Sequence, residues 1–456
     1  MLLREQEFDV PVRLGQGGLI DRFKAAATAQ TPDGASPVRF ALADSSEGNC
    51  RCELGVIASE DEERLPAMPE LFELHKRVLQ DQTTFNAVMI VPTGIGAALG
   101  GHAGDATPAA QLLAQACDRL ITHPNVINAS DIAELPTNGL YAEGSVLTRL
   151  MMGTVGLQPV RSNRILVVIE QHPEEVFIKD TINAVNAARA TYGLDCPEVI
   201  ILDDAPKMRM RFMESGVAAG RIENLGPLVE ALEERRGTYD AIALATLIDL
   251  PDHTQKEYFT SVDECVVNPW GGVEAMLTHA VSGIFNVPSA HAPMMESTAV
   301  ANMNFGTVEP RKAAEMVSTT FFNCVLKGLQ RSPRLVMDAE AMRHPSVLTA
   351  ANISVLVQPD KCIGLPTLAA LEQGIPVIAV RENTTIMRNR LEELPWAPGQ
   401  FHSVANYLEA AGLTLTMRAG ISVESIRRPL ASTHVCNANV VDVDRDVHRE
   451  AVAARS

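Results

Sequence analysis

Hydrophobic and polar positions follow two recurring patterns along the chain. Short runs rich in valine, isoleucine and leucine are typical of strands that are buried on both faces of a parallel sheet. The clearest runs occupy 87–92, 164–170, 198–204, 241–248, 334–338, 354–359 and 376–380. Stretches with helical spacing lie between them at 108–120, 178–193 and 225–237, and the last two end at Gly193 and Gly237. This alternation predicts an α/β fold with right-handed crossovers.

The length of the chain predicts more than one domain, because 456 residues are too many for a single compact core. The segment 152–163 contains two glycines and a proline and is the best candidate for a boundary. We therefore expect an N-terminal α/β domain at 1–160, which begins with irregular β-structure, and a C-terminal α/β domain at 161–430. Residues 431–456 form a weakly patterned tail. Within the second domain, 266–293 and 356–380 share one plan, which predicts duplicated strand–glycine–helix units.

Composition and charge exclude several classes of protein. A hydrophobic fraction of 46% and a charged fraction of 21% are those of a soluble globular protein, and no apolar run reaches the roughly 20 residues that span a bilayer. The net charge of −18 argues against nucleic acid as a partner. The polar N-terminus is unlike a secretory signal, and the eight cysteines form no paired C-x-x-C array. We expect a cytoplasmic protein that binds a small molecule and no membrane, and homo-oligomerisation stays open.

A glycine-rich segment, VPTGIGAALGGHAGDATPAA (91–110), is the first candidate site, with five glycines between a predicted strand and a predicted helix. Glycines let backbone N–H groups approach a ligand, and a helix N-terminus favours an anion. The segment has neither the Gly-Lys-Ser/Thr of a P-loop nor the usual G-x-G-x-x-G frame. The alternative is a structural turn. The predicted ligand contacts of this segment are Thr93, Gly94, Gly96 and Gly101. Its predicted acid–base groups are His102 and Asp105.

A polar run at 121–145 is the second candidate site. Loops at the carboxyl ends of parallel strands are where open α/β sheets bind ligands. His123 is a candidate general acid or base, and Glu143 is a candidate either to orient it or to ligate a cation. Asn125 and Asn128 are candidate ligand contacts, and Asp131 belongs to the same run. The alternative is that these polar residues cap turns.

The third candidate site follows the segment VVNP. Gly271, Gly272 and Glu274 stand at a predicted strand-to-helix junction and are candidate ligand contacts, whereas His291 and Glu296 are candidate catalytic residues. His279, in the middle of the helix between them, is interpreted as a packed histidine. No H-x-x-x-H spacing is present, so we predict no metal site, and the sequence leaves any cofactor unknown.

The fourth candidate site is CIGLPTLAALEQGIPVIAVRENTT (362–385). This segment resembles the carboxyl-terminal nucleotide-binding unit of the GT-B fold and is most similar to that of the nucleotide-sugar 2-epimerases. The resemblance implies that Gly364 and Thr367 face the phosphates of a nucleotide, and that Arg381 and Thr384 belong to the same ligand site. It also implies two Rossmann-like three-layer domains with parallel sheets in a GT-B-like arrangement.

A second resemblance covers most of the chain. The strings PTGIGA, GGHAGD, ITHPNVINASDI, LYAEGS, RSNRILVVIE and NPWGGVEA resemble a bacterial and plastid-associated family of unknown function, the DUF3326 family. That resemblance implies no activity.

Three functional hypotheses remain open. The first is a transferase or hydrolase that acts on a nucleotide-activated or phosphorylated small molecule in an interdomain cleft. The second is a lyase, hydrolase or isomerase of a small carboxylate, with or without a metal ion. The third is a non-catalytic ligand-binding or regulatory protein. The first two predict an anionic ligand.

Overall fold

The computed structural model describes residues 1–436 apart from 47, 60–64, 130, 131, 133, 264 and 319. Asp131 and residues 437–456 of the predicted tail therefore lie outside the described residues. The strands are β1 (Leu2–Val10), β2 (Ser36–Asp44), β3 (Cys50–Ala58), β4 (Asn86–Met89), β5 (Arg119–Thr122), β6 (Gly139–Tyr141), β7 (Gly156–Gln158), β8 (Arg164–Glu170), β9 (Asp195–Leu202), β10 (Lys207–Phe212), β11 (Ala218–Glu223), β12 (Ala241–Thr246), β13 (Ile248–Asp249), β14 (Ser289–Pro293), β15 (Arg334–Val336), β16 (Ile353–Pro359), β17 (Ile363–Gly364), β18 (Val377–Val380) and β19 (Phe401–Val404). The α-helices are α1 (Leu19–Gln30), α2 (Thr107–Gln115), α3 (Pro124–Ile127), α4 (Gly144–Met151), α5 (Glu175–Tyr192), α6 (Gly226–Glu233), α7 (Thr254–Thr260), α8 (Gly271–Phe285), α9 (Thr298–Ala301), α10 (Phe322–Gln330), α11 (Leu365–Gln373) and α12 (Tyr407–Arg418).

A six-stranded parallel sheet has the order β6-β5-β4-β16-β18-β19. Numbered along the chain, this is 3-2-1-4-5-6, the strand order of doubly wound Rossmann sheets. Helices α2 and α12 pack on one face, and α4 and α11 pack on the other. Every residue of β4, β16 and β18 is buried because both faces of the sheet are covered. The continuous apolar runs in the sequence have this cause.

A second parallel sheet has four strands in the order β9-β8-β12-β14. Helices α5 and α10 cover one face, and α6 and α8 cover the other. The prediction of a strand at 164–170 is confirmed residue for residue by β8. Helix α5 ends at Gly193, whose φ of 66° is the left-handed conformation expected at a helix end. The α/β fold with parallel sheets is thus confirmed.

The N-terminal strands are regular, which differs from the irregular β-structure expected there. β1 and β3 pair antiparallel over their full lengths, from Leu2 opposite Ala58 to Val10 opposite Cys50. They belong to a seven-stranded sheet in the order β13-β10-β11-β1-β3-β2-β17. Four of its strands come from distant parts of the chain, so the sequence of the first 80 residues does not reveal its regularity.

Several local predictions need correction. β15 pairs antiparallel with β7 and does not join a parallel sheet. The plan predicted at 356–380 is present as β16, α11 and β18, but residues 266–270 form no strand before α8. Helix α6 ends at Glu233, before Gly237. The six-stranded sheet contains strands from both sides of residue 160, so this sheet is not confined to one of the two predicted domains. The domain bounds themselves stay a prediction.

Helix α8 positions the candidate site, because it lies between the four-stranded sheet, the seven-stranded sheet and α4. It is buried on nearly all sides, as its apolar composition predicts. Its first turn packs so closely that a Cβ on Gly271 would lie 1.9 Å from Thr93 Oγ1, and one on Gly272 would lie 1.8 Å from the carbonyl oxygen of Ala218. Glycine at both positions lets α8 enter the space between the sheets.

Among the described residues, no helix is both long enough and apolar enough to cross a bilayer.

Candidate functional site

A cavity of about 340 Å³ lies at the carboxyl ends of strands from both parallel sheets. Pro92 follows β4, His123 follows β5, and the segment from Cys362 to Thr367 follows β16; Met294 follows β14 in the other sheet. This is the edge of an open α/β sheet where ligands bind, and the crossover point between β4 and β16 lies beside it. The first half of α8 and the middle of β2 complete the wall.

Glu143, which is buried, and His279, which is partly exposed, form a pair in the wall of this cavity. Glu143 caps the N-terminus of α4, where its Oε2 accepts the N–H of Ser145 at 2.8 Å. Its Oε1 lies 2.5 Å from His279 Nδ1 and accepts the hydroxyl of Thr278 at 3.3 Å. Burial by itself would raise the pKa of Glu143, but His279 and the Ser145 donors lower the pKa below its ordinary value. The charged carboxylate is therefore the ion-pair partner of the imidazole at Nδ1, and neither Nδ1 nor Nε2 of His279 makes a well-aligned hydrogen bond with the described residues.

Glu274 and His291 form a second pair. His291 Nδ1 lies 3.1 Å from Glu274 Oε1, and His291 Nε2 lies 2.9 Å from Thr246 Oγ1. Both ring nitrogens are thus occupied, and the His291 side chain is 1% exposed, whereas that of Glu274 is 23% exposed. The carboxylate of Glu274 is therefore accessible from the cavity, and the more deeply buried His291 contacts its Oε1.

His123 lines the cavity as a neutral imidazole. Its Nε2 accepts the N–H of Val91 at 3.0 Å, so the proton of the neutral ring is on Nδ1. Burial lowers the pKa of His123 to about 4. Asn125 also lines the cavity, but its Nδ2 donates to the carbonyls of Val91 (2.8 Å) and Gly100 (2.7 Å) and so holds the glycine-rich segment in place. Asn128 accepts the hydroxyl of Tyr141 at 3.0 Å.

Glu315, which the sequence analysis did not single out, is a further buried carboxyl group in the cavity wall. Its Oε1 accepts the N–H of Ala103 (3.1 Å), the hydroxyl of Tyr258 (3.0 Å) and Nδ2 of Asn268 (3.3 Å). Burial raises the pKa of Glu315 to about 7. Glu315 can therefore exist in either protonation state near neutral pH.

His102 and Asp105 lie behind this wall. His102 Nδ1 is 2.7 Å from the hydroxyl of Tyr258, and burial lowers the pKa of His102 to about 4. Asp105 Oδ1 accepts the backbone N–H groups of Gly100 (2.8 Å) and His102 (3.3 Å), and burial raises its pKa to about 6. The carboxylate of Asp105 thus holds the backbone of the glycine-rich segment, and His102 is connected to the cavity wall through Tyr258 and Glu315.

The glycines at 94, 96 and 101 face the protein's own backbone. Gly94 and Gly96 have φ of 74° and 60°, and a Cβ on them would lie 2.7 Å from the carbonyl oxygen of Ala218 and 2.4 Å from that of Cys265. A Cβ on Gly101 would lie 2.0 Å from the carbonyl oxygen of Ala97. These contacts require glycine without any ligand, which is the structural alternative for this segment.

The fourth candidate site is divided by the structure. Gly364 and Thr367 line the cavity, where Thr367 Oγ1 donates to Gln358 Oε1 at 2.9 Å. Arg381 is exposed and donates to Ser403 Oγ at 3.0 Å outside the cavity. Thr384 accepts the N–H of Ala98 through its carbonyl oxygen at 2.8 Å.

The cavity therefore gathers many of the residues predicted from sequence, but not all of them. Those in its wall are Thr93, His123, Asn125, Asn128, Glu143, Gly271, Glu274, His291, Glu296, Gly364 and Thr367. Those outside it are Gly94, Gly96, Gly101, His102, Asp105, Gly272, Arg381 and Thr384. His279 and Glu315 are additional members that no motif marks, because one lies inside a buried helix and the other in a polar 3₁₀ segment (Pro310–Met316).

Among the described residues, no group of three or more His, Cys, Asp or Glu side chains is arranged to hold a metal ion.

The fold and the cavity define an α/β protein with a cavity at the carboxyl ends of two parallel sheets. The chain belongs to the DUF3326 family, described as proteins of unknown function, which matches residues 86–427. It is 33% identical over 341 residues to an "uncharacterized lipoprotein" of Synechococcus sp., which covers 74% of this chain and 92% of that relative. The family resemblance seen in the sequence is thus confirmed. No solved structure matches the chain, and the resemblance to the nucleotide-sugar 2-epimerases stays a prediction.

Proposed function

We propose that this protein is an enzyme of the lyase, hydrolase or isomerase type that transfers a proton to or from a small molecule bound in the cavity. One observation carries the proposal: two carboxylate–imidazole pairs, Glu143–His279 and Glu274–His291, line the same cavity. A carboxylate that orients an imidazole is a recurring arrangement in general acid–base catalysis.

Helix α8 brings the two pairs within reach of one ligand. It carries Glu274 of one pair and His279 of the other, and five residues of helix correspond to a rise of about 7.5 Å. A ligand that fills a cavity of this size spans that distance.

His279 and Glu274 take the two chemical roles in this proposal. His279 Nε2 accepts or delivers the proton, and the negative charge of Glu143 stabilises the imidazolium that forms. Glu274, held by His291, handles a second proton or binds a developing positive charge. His123 contributes an Nδ1–H donor that stays neutral at physiological pH.

The test is turnover of an unidentified substrate, followed by mass spectrometry. A small-molecule extract is incubated in D₂O with the wild-type protein, His279→Gln, or His344→Gln, which alters an exposed histidine outside the cavity. We expect one compound to be consumed or deuterated by the wild type and the control, and at least about 10²-fold more slowly by His279→Gln. If no compound changes, or if His279→Gln acts at the wild-type rate, the proposal fails.

Action on a nucleotide-activated or phosphorylated molecule is a second candidate function. It is favoured by Gly364 and the N-terminus of α11, which line the cavity as the GT-B resemblance implies. In that case the two parallel sheets would correspond to a GT-B-like pair of Rossmann-like domains. Calorimetric titration with UDP tests it, and the absence of binding heat at millimolar UDP argues against it.

The cytoplasmic location expected from the sequence is also a proposal. The name of the Synechococcus relative makes attachment to a membrane the alternative. Fractionation of cells that express the full-length gene decides between the two locations.

A further inference from the structure

The charges of the cavity wall are strongly unbalanced. Among the described residues that line it, one side chain is permanently cationic, and the carboxyl groups are Glu53, Glu143, Glu274, Glu296 and Glu315. The cation is Arg39. An anionic ligand would need cationic side chains, and the described residues of this wall provide five carboxyl groups for one such side chain.

Arg39 is already neutralised. Its guanidinium forms ion pairs with Glu5 and with Glu53, the latter at 2.9 Å, and both of these glutamates are buried. Two carboxylates therefore share one guanidinium, and Glu53 Oε1 is buried without a hydrogen-bond partner among the described residues. Arg39 has no charge left with which to bind a phosphate or carboxylate.

Glu315 is not paired with a cation in the same way. Three neutral donors occupy its Oε1, and its Oε2 accepts no hydrogen bond from the described residues, although the side chain is buried in the cavity wall. The ammonium of Lys312 donates to the carbonyl oxygens of Tyr258 (2.6 Å) and Ser261 (2.8 Å) and lies 4.9 Å from the centroid of the Tyr258 ring, and it forms no ion pair with Glu315. One carboxylate oxygen thus remains for a ligand.

Aromatic rings stand beside this carboxyl group. Trp270 and Phe259 line the cavity, with ring centroids 6.2 Å apart, and Tyr258 packs edge-on against Trp270 at 5.3 Å. Because Tyr258 also donates to Glu315, the rings and the carboxylate form one cluster. A carboxylate next to aromatic rings is the environment that recognises ammonium groups, through a charge-assisted hydrogen bond and cation–π attraction.

We propose that the ligand of this cavity is a small organic amine, bound as an ammonium ion by Glu315 beside Trp270 and Phe259. The inference rests on the proposed function, since it names the substrate class for the same cavity. It is the opposite of the anionic ligand expected from the sequence, and one experiment separates the two.

The experiment compares probes of similar size and opposite charge by isothermal titration calorimetry at pH 8. Phenethylamine is paired with 3-phenylpropionate, and cadaverine with glutarate. We expect at least one amine to bind at least 10-fold more tightly than its carboxylate partner. We also expect Glu315→Gln to weaken that amine by at least 10-fold, while Glu340→Gln, at an exposed position, leaves its affinity unchanged. Trp270→Leu should weaken the same amine.

Three results overturn the inference: equal binding of the carboxylates, binding of no probe, or full amine affinity in folded Glu315→Gln. Circular dichroism and thermal melting of each variant establish that it is folded. The proposed function fails separately. If turnover depends on His279 but amines are not preferred, only the ligand class is wrong. If amines are preferred but His279→Gln keeps full turnover, only the catalytic proposal is wrong.

Discussion

The close packing of the first turn of α8 against β11 gives the sharpest prediction about stability. In Gly272→Ala, the new Cβ would lie 1.8 Å from the carbonyl oxygen of Ala218, whereas real Cβ contacts closer than 3.0 Å essentially do not occur. The helix or β11 must therefore move by more than 1 Å within a packed core. Overpacking of this kind costs about 3 kcal/mol, the upper end of the usual range. The shift would also move Glu274 and His279 relative to Glu143.

Gly412→Ala is the matched control, because it makes the same change inside α12, where no described atom outside the helix's own backbone lies within 4 Å of the new Cβ. There we expect a gain of about 0.5–1 kcal/mol, since alanine is the better helix former. Urea unfolding of the wild type and both variants measures the free energies. If Gly272→Ala is as stable as the wild type, α8 is not seated as described, and the geometry of both carboxylate–imidazole pairs is in doubt.

Three further predictions concern buried polar groups. Burial and the charge of Glu274 raise the pKa of Glu315 to about 7, against the effects of Tyr258 and Lys312, so that it lies above the value in the unfolded chain. As the pH rises from 5 to 7, the free energy of unfolding of the wild type should therefore fall, relative to that of Glu315→Gln, by on the order of 1 kcal/mol per pH unit. Parallel pH profiles of the two proteins would contradict this. Lys312→Met leaves the buried carbonyl of Tyr258 and the partly buried carbonyl of Ser261 without this donor and should cost about 2 kcal/mol in urea unfolding, and an unchanged midpoint would show that these bonds contribute nothing. Asn125→Ala removes two hydrogen bonds to the glycine-rich segment and should cost about 2 kcal/mol and speed amide exchange there, whereas unchanged exchange would place the constraint elsewhere.

Periodicity predicted much of the fold because burial on both faces of a parallel sheet leaves a local record. β8 and the glycine end of α5 follow directly from it. The positions of the predicted strands also predicted that His123 and Glu143 lie at the carboxyl ends of parallel strands, and both residues line the cavity. Antiparallel pairing of β15 with β7 left no such record, since a short apolar run fits either kind of sheet.

The glycine-rich segment shows the limit of reasoning from residue type. Glycine is required wherever backbone approaches closely, and the sequence does not say whether the neighbour is a ligand or the protein. At Gly94 and Gly96 the neighbours are the carbonyls of Ala218 and Cys265. His102 is similar: a histidine in a loop suggests chemistry, but Tyr258 separates it from the cavity.

The sequence by itself determined the α/β class, the family, and the polar segments that end the strands of the parallel sheets, because these depend on local pattern. Only the tertiary structure decided which groups meet. The pairing of Glu143 with His279, and the seating of Glu315 beside Tyr258, depend on how α8 and the 3₁₀ segment pack against distant elements. Long-range packing sets the distance between two side chains and the water that reaches them, and these two quantities fix the pKa values and the charge of the cavity.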